Sequence, residues 1–139
     1  MWTCAECQRS FGRKGQSHEC APALGVEEYF ATGPAFERPI FEVVSAFVST
    51  LGVVLVEPVQ VGIFFKRPSS WIQLRPKTSW VSLLFPLYRN VVIHPAITTK
   101  PSSTGRPGAA MWFDAKLRVP DDFDGGLQEL LVESWHSTR

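Results

Sequence analysis

At 139 residues, with 45% hydrophobic and 19% charged positions and a formal net charge of +1, the sequence has the make-up of a folded chain with room for one ordinary domain and a small appendage. The longest apolar runs, Leu51 to Val56 and Val81 to Phe85, fall far short of the ~18 residues that span a bilayer, so no membrane partner is expected. No apolar stretch with a cleavage site follows Met1, and the three cysteines all precede residue 21, which points to a reducing, cytoplasmic setting and to metal ligation in place of disulfides.

The first element in chain order, residues 1–21, carries Cys4 and Cys7 in C-x-x-C spacing and His18 and Cys20 in H-x-C spacing. A tight turn lets the first pair meet one tetrahedral ion, and an extended segment turns the second pair to a common side. These four residues are expected to hold one structural Zn²⁺, a closed ligand set with no position left for a catalytic water. Residues 8–17 contain Gly12 and Gly15 and are too few for a hairpin strand plus a DNA-reading helix. Counting the ion and three thiolates, the charges of this segment cancel, so by itself it is a poor polyanion binder.

Residues 22–35 read as a linker with a short helical turn over Gly25 to Phe30. An α+β domain is expected over residues 36–139. Its first helix, roughly Phe36 to Leu51, repeats Phe36, Ile40, Val43, Val44, Phe47, Val48 and Leu51 at steps of three and four, with Pro39 near its start and Gly52 as its stop. Alternation then predicts strands over Val59–Lys66, Trp71–Arg75, Val81–Leu87 and Met111–Val119, with Val91–Ile93 continuing the sheet and a polar connection over residues 99–108. A C-terminal helix over about Asp121 to Trp135 turns Phe123, Leu127, Leu130, Leu131 and Trp135 inward, with Asp121, Asp122 and Asp124 suited to its N-terminus.

Helix, consecutive strands and helix make a two-layer α+β fold, an antiparallel sheet with helices on one face. The alternation assigns Trp71, Gln73, Arg75, Trp80, Ser82, Trp112, Asp114, Lys116 and Arg118 to the other face. Acidic residues gather in 21–56 (Glu27, Glu28, Glu37, Glu42) and basic ones in 57–89 (Lys66, Arg67, Arg75, Lys77, Arg89), a mild sign of an anionic partner.

The string Trp2, Cys4, Cys7, Arg9, Phe11, Gln16, Ser17, His18 and Cys20 resembles the start of an uncharacterised bacterial family, the domain-of-unknown-function group five-six-five-five. The resemblance continues through Val26–Phe30, through Val61, Ile63, Phe65, Lys66 and Arg67, and through Leu74–Lys77 to the C-terminal helix. It departs at Gln8, where such knuckles usually carry Gly, and at Pro39. It implies a zinc knuckle followed by an α+β domain and supplies no reaction.

These residues point to a binding module. Trp71, Arg75, Lys77, Trp80, Trp112, Lys116 and Arg118 form the expected ligand-binding set, with indoles for stacking bases and cations for phosphates of a nucleic acid or another anionic partner. The alternative is a structural adaptor or homo-oligomer whose tryptophan face is covered by the finger or a second subunit. An enzyme is the less favoured reading, because no nucleophile elbow, phosphate-binding glycine loop or H-E-x-x-H occurs, and His94 beside Pro95 suits a structural role.

Overall fold

The computed structural model describes residues 2–5, 10–15, 25–59, 61–67 and 70–138. Near the N-terminus, β1 (Trp2–Thr3) pairs antiparallel with β2 (Ser10–Phe11), bringing Trp2 opposite Phe11. A one-turn helix α1 (Val26–Tyr29) follows Gly25, as the sequence leads one to expect. It is fastened to α2 (Glu37–Ser49) by Arg38, whose guanidinium donates to both Glu27 oxygens at 2.9 and 2.5 Å. Pro39 is the third residue of α2, where its missing N–H belongs to the first turn and has no intrahelical partner to lose. The buried stripe of α2 is Glu37, Ile40, Phe41, Val44 and Val48, while Phe36, Val43, Phe47 and Leu51 are half-buried; the inward face is turned toward Phe41 relative to the expected one.

Five strands then run in sequence order as an antiparallel sheet: β3 (Leu55–Val59), β4 (Gly62–Lys66), β5 (Ser70–Pro76), β6 (Val81–Leu87) and β7 (Met111–Leu117). The single strand expected over Val59–Lys66 is in fact the close of one strand and the whole of the next. Val59 faces Gly62 across a chain reversal, and Val61 is 56% exposed. Gly62 enforces this: its φ is +157°, and a Cβ built there would lie 2.3 Å from the Leu74 carbonyl oxygen. Val91–Ile93 is not a strand, and its Val91 and Ile93 side chains are exposed. The last strand ends at Leu117, two residues earlier than expected, which leaves Val119 half-exposed.

One cluster joins Ile40, Val44 and Val48 of α2 to Leu127 and Leu131 of the C-terminal helix α3 (Gly125–Ser137) and to the sheet residues Ile63, Phe65, Ile72, Leu74, Leu83, Phe85, Phe113, Ala115 and Leu117. Both helices therefore cover the same face, the two-layer arrangement that the strand alternation predicts. Asp124 caps α3 by accepting from the Leu127 N–H at 2.9 Å. Gly125 and Gly126 thus occupy its first turn. Asp121 and Asp122 lie before the helix, in a separate 3-10 turn over Pro120–Asp122.

Both borders of the sheet are occupied or interrupted. Along β7 the Lys116 N–H donates to Ala96 O at 2.9 Å, and Trp112 exchanges backbone bonds of 2.7 and 3.0 Å with Ser102. At the other border β3 carries Pro58. Among the described residues, no helix is long and apolar enough to cross a membrane.

Candidate functional site

The pairing register sets the rows on the helix-free face. Arg75 lies opposite Ser82, which lies opposite Lys116; Gln73, Leu84 and Asp114 form the adjacent row, and Pro86 faces Trp112 beyond it. Lys77 closes the β5–β6 turn by donating its N–H to Trp80 O at 2.7 Å, so the chain returns with Trp80 placed just before β6. The Trp80 indole N–H donates to Ser82 Oγ at 3.1 Å, and Ser82 itself is buried. Lys116 Nζ stands 5.1 Å and the Arg118 guanidinium 5.9 Å from the Trp80 ring centroid, within cation–π range. Arg75 donates through Nε to Gln73 Oε1 at 2.9 Å and lies 5.9 Å from the Phe64 ring, which fixes its direction.

Arg75, Lys77, Trp80, Lys116 and Arg118 therefore gather at one end of this face. Trp112 does not join them: three strand residues lie between it and Lys116, four steps of ~3.4 Å or roughly 14 Å along β7. Between them sits Asp114, a negative group in the strip, with Oδ1 buried and without a hydrogen-bond partner among the described residues.

Trp71 is on the opposite face. Phe65 pairs with Ile72 while the next residue, Lys66, pairs with Ser70, so β5 carries one extra residue at Trp71. This bulge lets Trp71 and Ile72 both turn toward the helices, against the simple alternation. Trp71 is 3% exposed, its Nε1 donates to Ser134 Oγ at 2.9 Å, and its ring meets Trp135 edge-on at 5.2 Å. Ser134 and Trp135 of α3 cover it.

Of the expected zinc ligands, Cys4 is buried beside Trp2 at the end of β1, and Cys7, His18 and Cys20 lie outside the described residues. Among the described residues, no group of three or more His, Cys, Asp or Glu side chains could hold a metal ion.

His94 is held through both of its ring nitrogens. Its Nδ1 accepts the Ala96 N–H at 3.0 Å, and its Nε2 lies 2.9 and 3.1 Å from the two Asp124 oxygens. The neutral ring is consequently the Nε2–H tautomer, donating to Asp124, and both nitrogens are engaged. The Leu127 N–H, and after it His94, holds the Asp124 carboxyl below its ordinary range.

In the sequence Glu37 is only one of an acidic group and Tyr29 has no assigned role; the structure joins them. Glu37 is 3% exposed at the start of α2, and the Tyr29 hydroxyl donates to its Oε2 at 2.5 Å. Burial raises the carboxyl above its usual range, with the Tyr29 hydrogen bond opposing. Burial and the facing carboxylate raise the Tyr29 hydroxyl. Both residues line a cavity of about 270 Å³ with Glu28, Thr32, Gly33 and Pro76. The available signal was positional: Glu37 precedes Phe41, Val44 and Val48 at steps of four, three and four, a charged residue on an apolar stripe.

A family model described as Domain of unknown function (DUF5655) matches residues 26–138. No curated protein and no solved structure matches the chain.

Proposed function

Since the chain belongs to the DUF5655 family of domains of unknown function, its chemistry has to be sought in its own residues, and we propose that it is a zinc-stabilised binding module for an anionic partner, a single-stranded nucleic acid first among them. The observation that carries this reading is Trp80, held by Ser82 and flanked by Lys116 and Arg118 at 5.1 and 5.9 Å, with Arg75 in the same row as Ser82 and Lys116. An indole in a fixed orientation offers an edge or face for a base, and the surrounding cations suit phosphates. Trp112 extends the same face, and Asp114 confines the basic area to the Trp80 end.

Titration of the intrinsic tryptophan fluorescence with single-stranded DNA and RNA tests it. Quenching that weakens as salt rises is expected, with Trp80→Ala and Lys116→Ala each reducing affinity and Lys116→Ala also flattening the salt dependence. Absence of salt-dependent quenching at micromolar protein would remove the nucleic-acid reading.

Zinc is part of the same proposal. Cys4, Cys7, His18 and Cys20 supply three thiolates and an imidazole, a donor set suited to a structural tetrahedral site. The β1–β2 pairing supports it by closing the chain around the Cys4–Cys7 spacing, and Cys4 is 5% exposed. Chelation, or Cys7→Ser, is expected to release one equivalent of zinc and unfold residues 1–21 while leaving the sheet domain folded. Metal analysis with thiol titration checks this, and substoichiometric zinc with reactive thiols contradicts it.

A further inference from the structure

The cavity beside Glu37 has a chemistry unrelated to the basic face. Its carboxylate is almost wholly buried, yet among the described residues no cation pairs with it. Arg38, the adjacent residue, is committed to Glu27 and, at 3.2 Å, to Glu42. One Glu37 oxygen, Oε2, accepts from Tyr29. The other, Oε1, lies 4.0 Å from where a Cβ on Gly33 would stand, and Gly33 is part of the cavity wall. The phenol gives its only hydrogen to Glu37, so its oxygen faces any occupant as an acceptor. Glu28 also lines the cleft; its Oε1 accepts the Gly25 N–H at 3.4 Å, which leaves Oε2 for an occupant.

A site with two carboxylates and a phenol oxygen acting as acceptor calls for an occupant that brings donors and positive charge. We propose that this cleft is a binding site for a protonated primary amine, its ammonium seated against Glu37. Its volume of about 270 Å³ is just below the ~300–1,000 Å³ of pockets that take drug-sized ligands, so it suits a small amine or one lysine side chain. An ammonium fits better than a guanidinium. A guanidinium is held best by both oxygens of one carboxylate, and Glu37 has given one to Tyr29. An ammonium brings three donors, and the cleft lining offers acceptors from Glu28 and Tyr29 of α1 and from Glu37 at the start of α2. The site is independent of the Trp80 face, and its failure would leave that reading untouched.

The test is an amide ¹H–¹⁵N titration of the full chain with n-butylammonium chloride at neutral pH. Saturable shifts are expected at Thr32, Gly33 and Glu37, with a Kd on the order of millimolar for so small a ligand. Tetramethylammonium carries the same charge without N–H donors and is expected to bind about tenfold more weakly or not at all. Glu37→Gln keeps the shape and an acceptor for Tyr29 but loses the charge; it is expected to weaken n-butylammonium by about tenfold or more with the remaining spectrum unchanged. If that variant does not fold, Tyr29→Phe, which removes one acceptor, is expected to weaken binding several-fold. Capped lysine (Nα-acetyl-lysine N-methylamide) separates the two sources: tighter binding than n-butylammonium identifies a polypeptide side chain, and equal binding a free amine. Absence of saturable shifts around Gly33, or binding unchanged in the folded variant, overturns the proposal, as does equal binding of tetramethylammonium.

Discussion

On the face that α2 and α3 cover, Ile63, Phe65, Ile72, Leu83, Phe85 and Ala115 are sealed from solvent; on the face turned away, the same strands present Arg75, Gln73, Asp114 and Lys116. The difference is not simply buried against exposed. At the β3–β4 corner of the helix-free face, Glu57 and Lys66 are 3% and 8% exposed and form an ion pair at 3.0 Å. At the β6–β7 end of that face, Ser82 is buried but Lys116 and Arg118 reach the surface around Trp80. One face is thus a largely apolar contact, with the Trp71–Ser134 hydrogen bond as a polar point in it, and the other is divided into a buried ionic corner and a solvent-facing basic end. Paired burial of charge costs about as much as it returns, which suits specificity better than stability.

Substitutions can sharpen or break that contrast. Phe85→Ala, on the sealed face and stacked on Phe113 at 5.9 Å, is expected to cost about 3–5 kcal/mol in chemical denaturation. Lys66→Met is expected to cost nearly as much, about 3–5 kcal/mol, because it strips a buried carboxylate of this cation, whereas the double change Glu57→Leu with Lys66→Met is expected to recover most of the loss. A Lys66→Met cost under about 1 kcal/mol, the level of a surface pair, would show that corner to be solvated and the division of the face unfounded.

The smallest effect is expected at the border between the two faces, where Asp124 caps α3 and holds His94. Asp124→Ala is expected to cost about 0.5–2 kcal/mol at neutral pH. Because its folded-state pKa is lowered, the Asp124 contribution is complete above the unfolded carboxyl value of about 3.9 and is lost as pH falls through the lower folded one. The acid limb of stability should therefore flatten in Asp124→Ala, as denaturation at a series of pH values would record.

Much of this was legible in the chain. The alternation in Val81–Leu87 and Met111–Leu117 identifies which side chains reach the helices, and the steps of three and four after residue 36 locate α2. Those patterns report a local period, and they fail wherever a long-range contact resets it. Trp71 is turned inward by a bulge that exists only in the β4–β5 pairing, and its indole N–H finds Ser134, distant in sequence. Val59–Lys66 keeps its alternation through a reversal that depends on how closely Gly62 approaches Leu74. The Trp80 cluster was visible because β6 and β7 are regular. Glu37 was overlooked because a carboxylate at the first turn of a helix ordinarily explains itself by the helix dipole.

The two borders of the sheet have a further consequence for a crowded solution. A bare strand edge is a template on which another chain can add, the first step of edge-to-edge aggregation. Here the β7 edge already has its backbone bonds taken by Ala96 and Ser102, and the β3 edge lacks an N–H at Pro58. The strap over residues 95–102 thus serves as a guard as well as a connection, and loosening it would expose the edge of β7, the strand that carries Lys116 beside Trp80, to unwanted pairing.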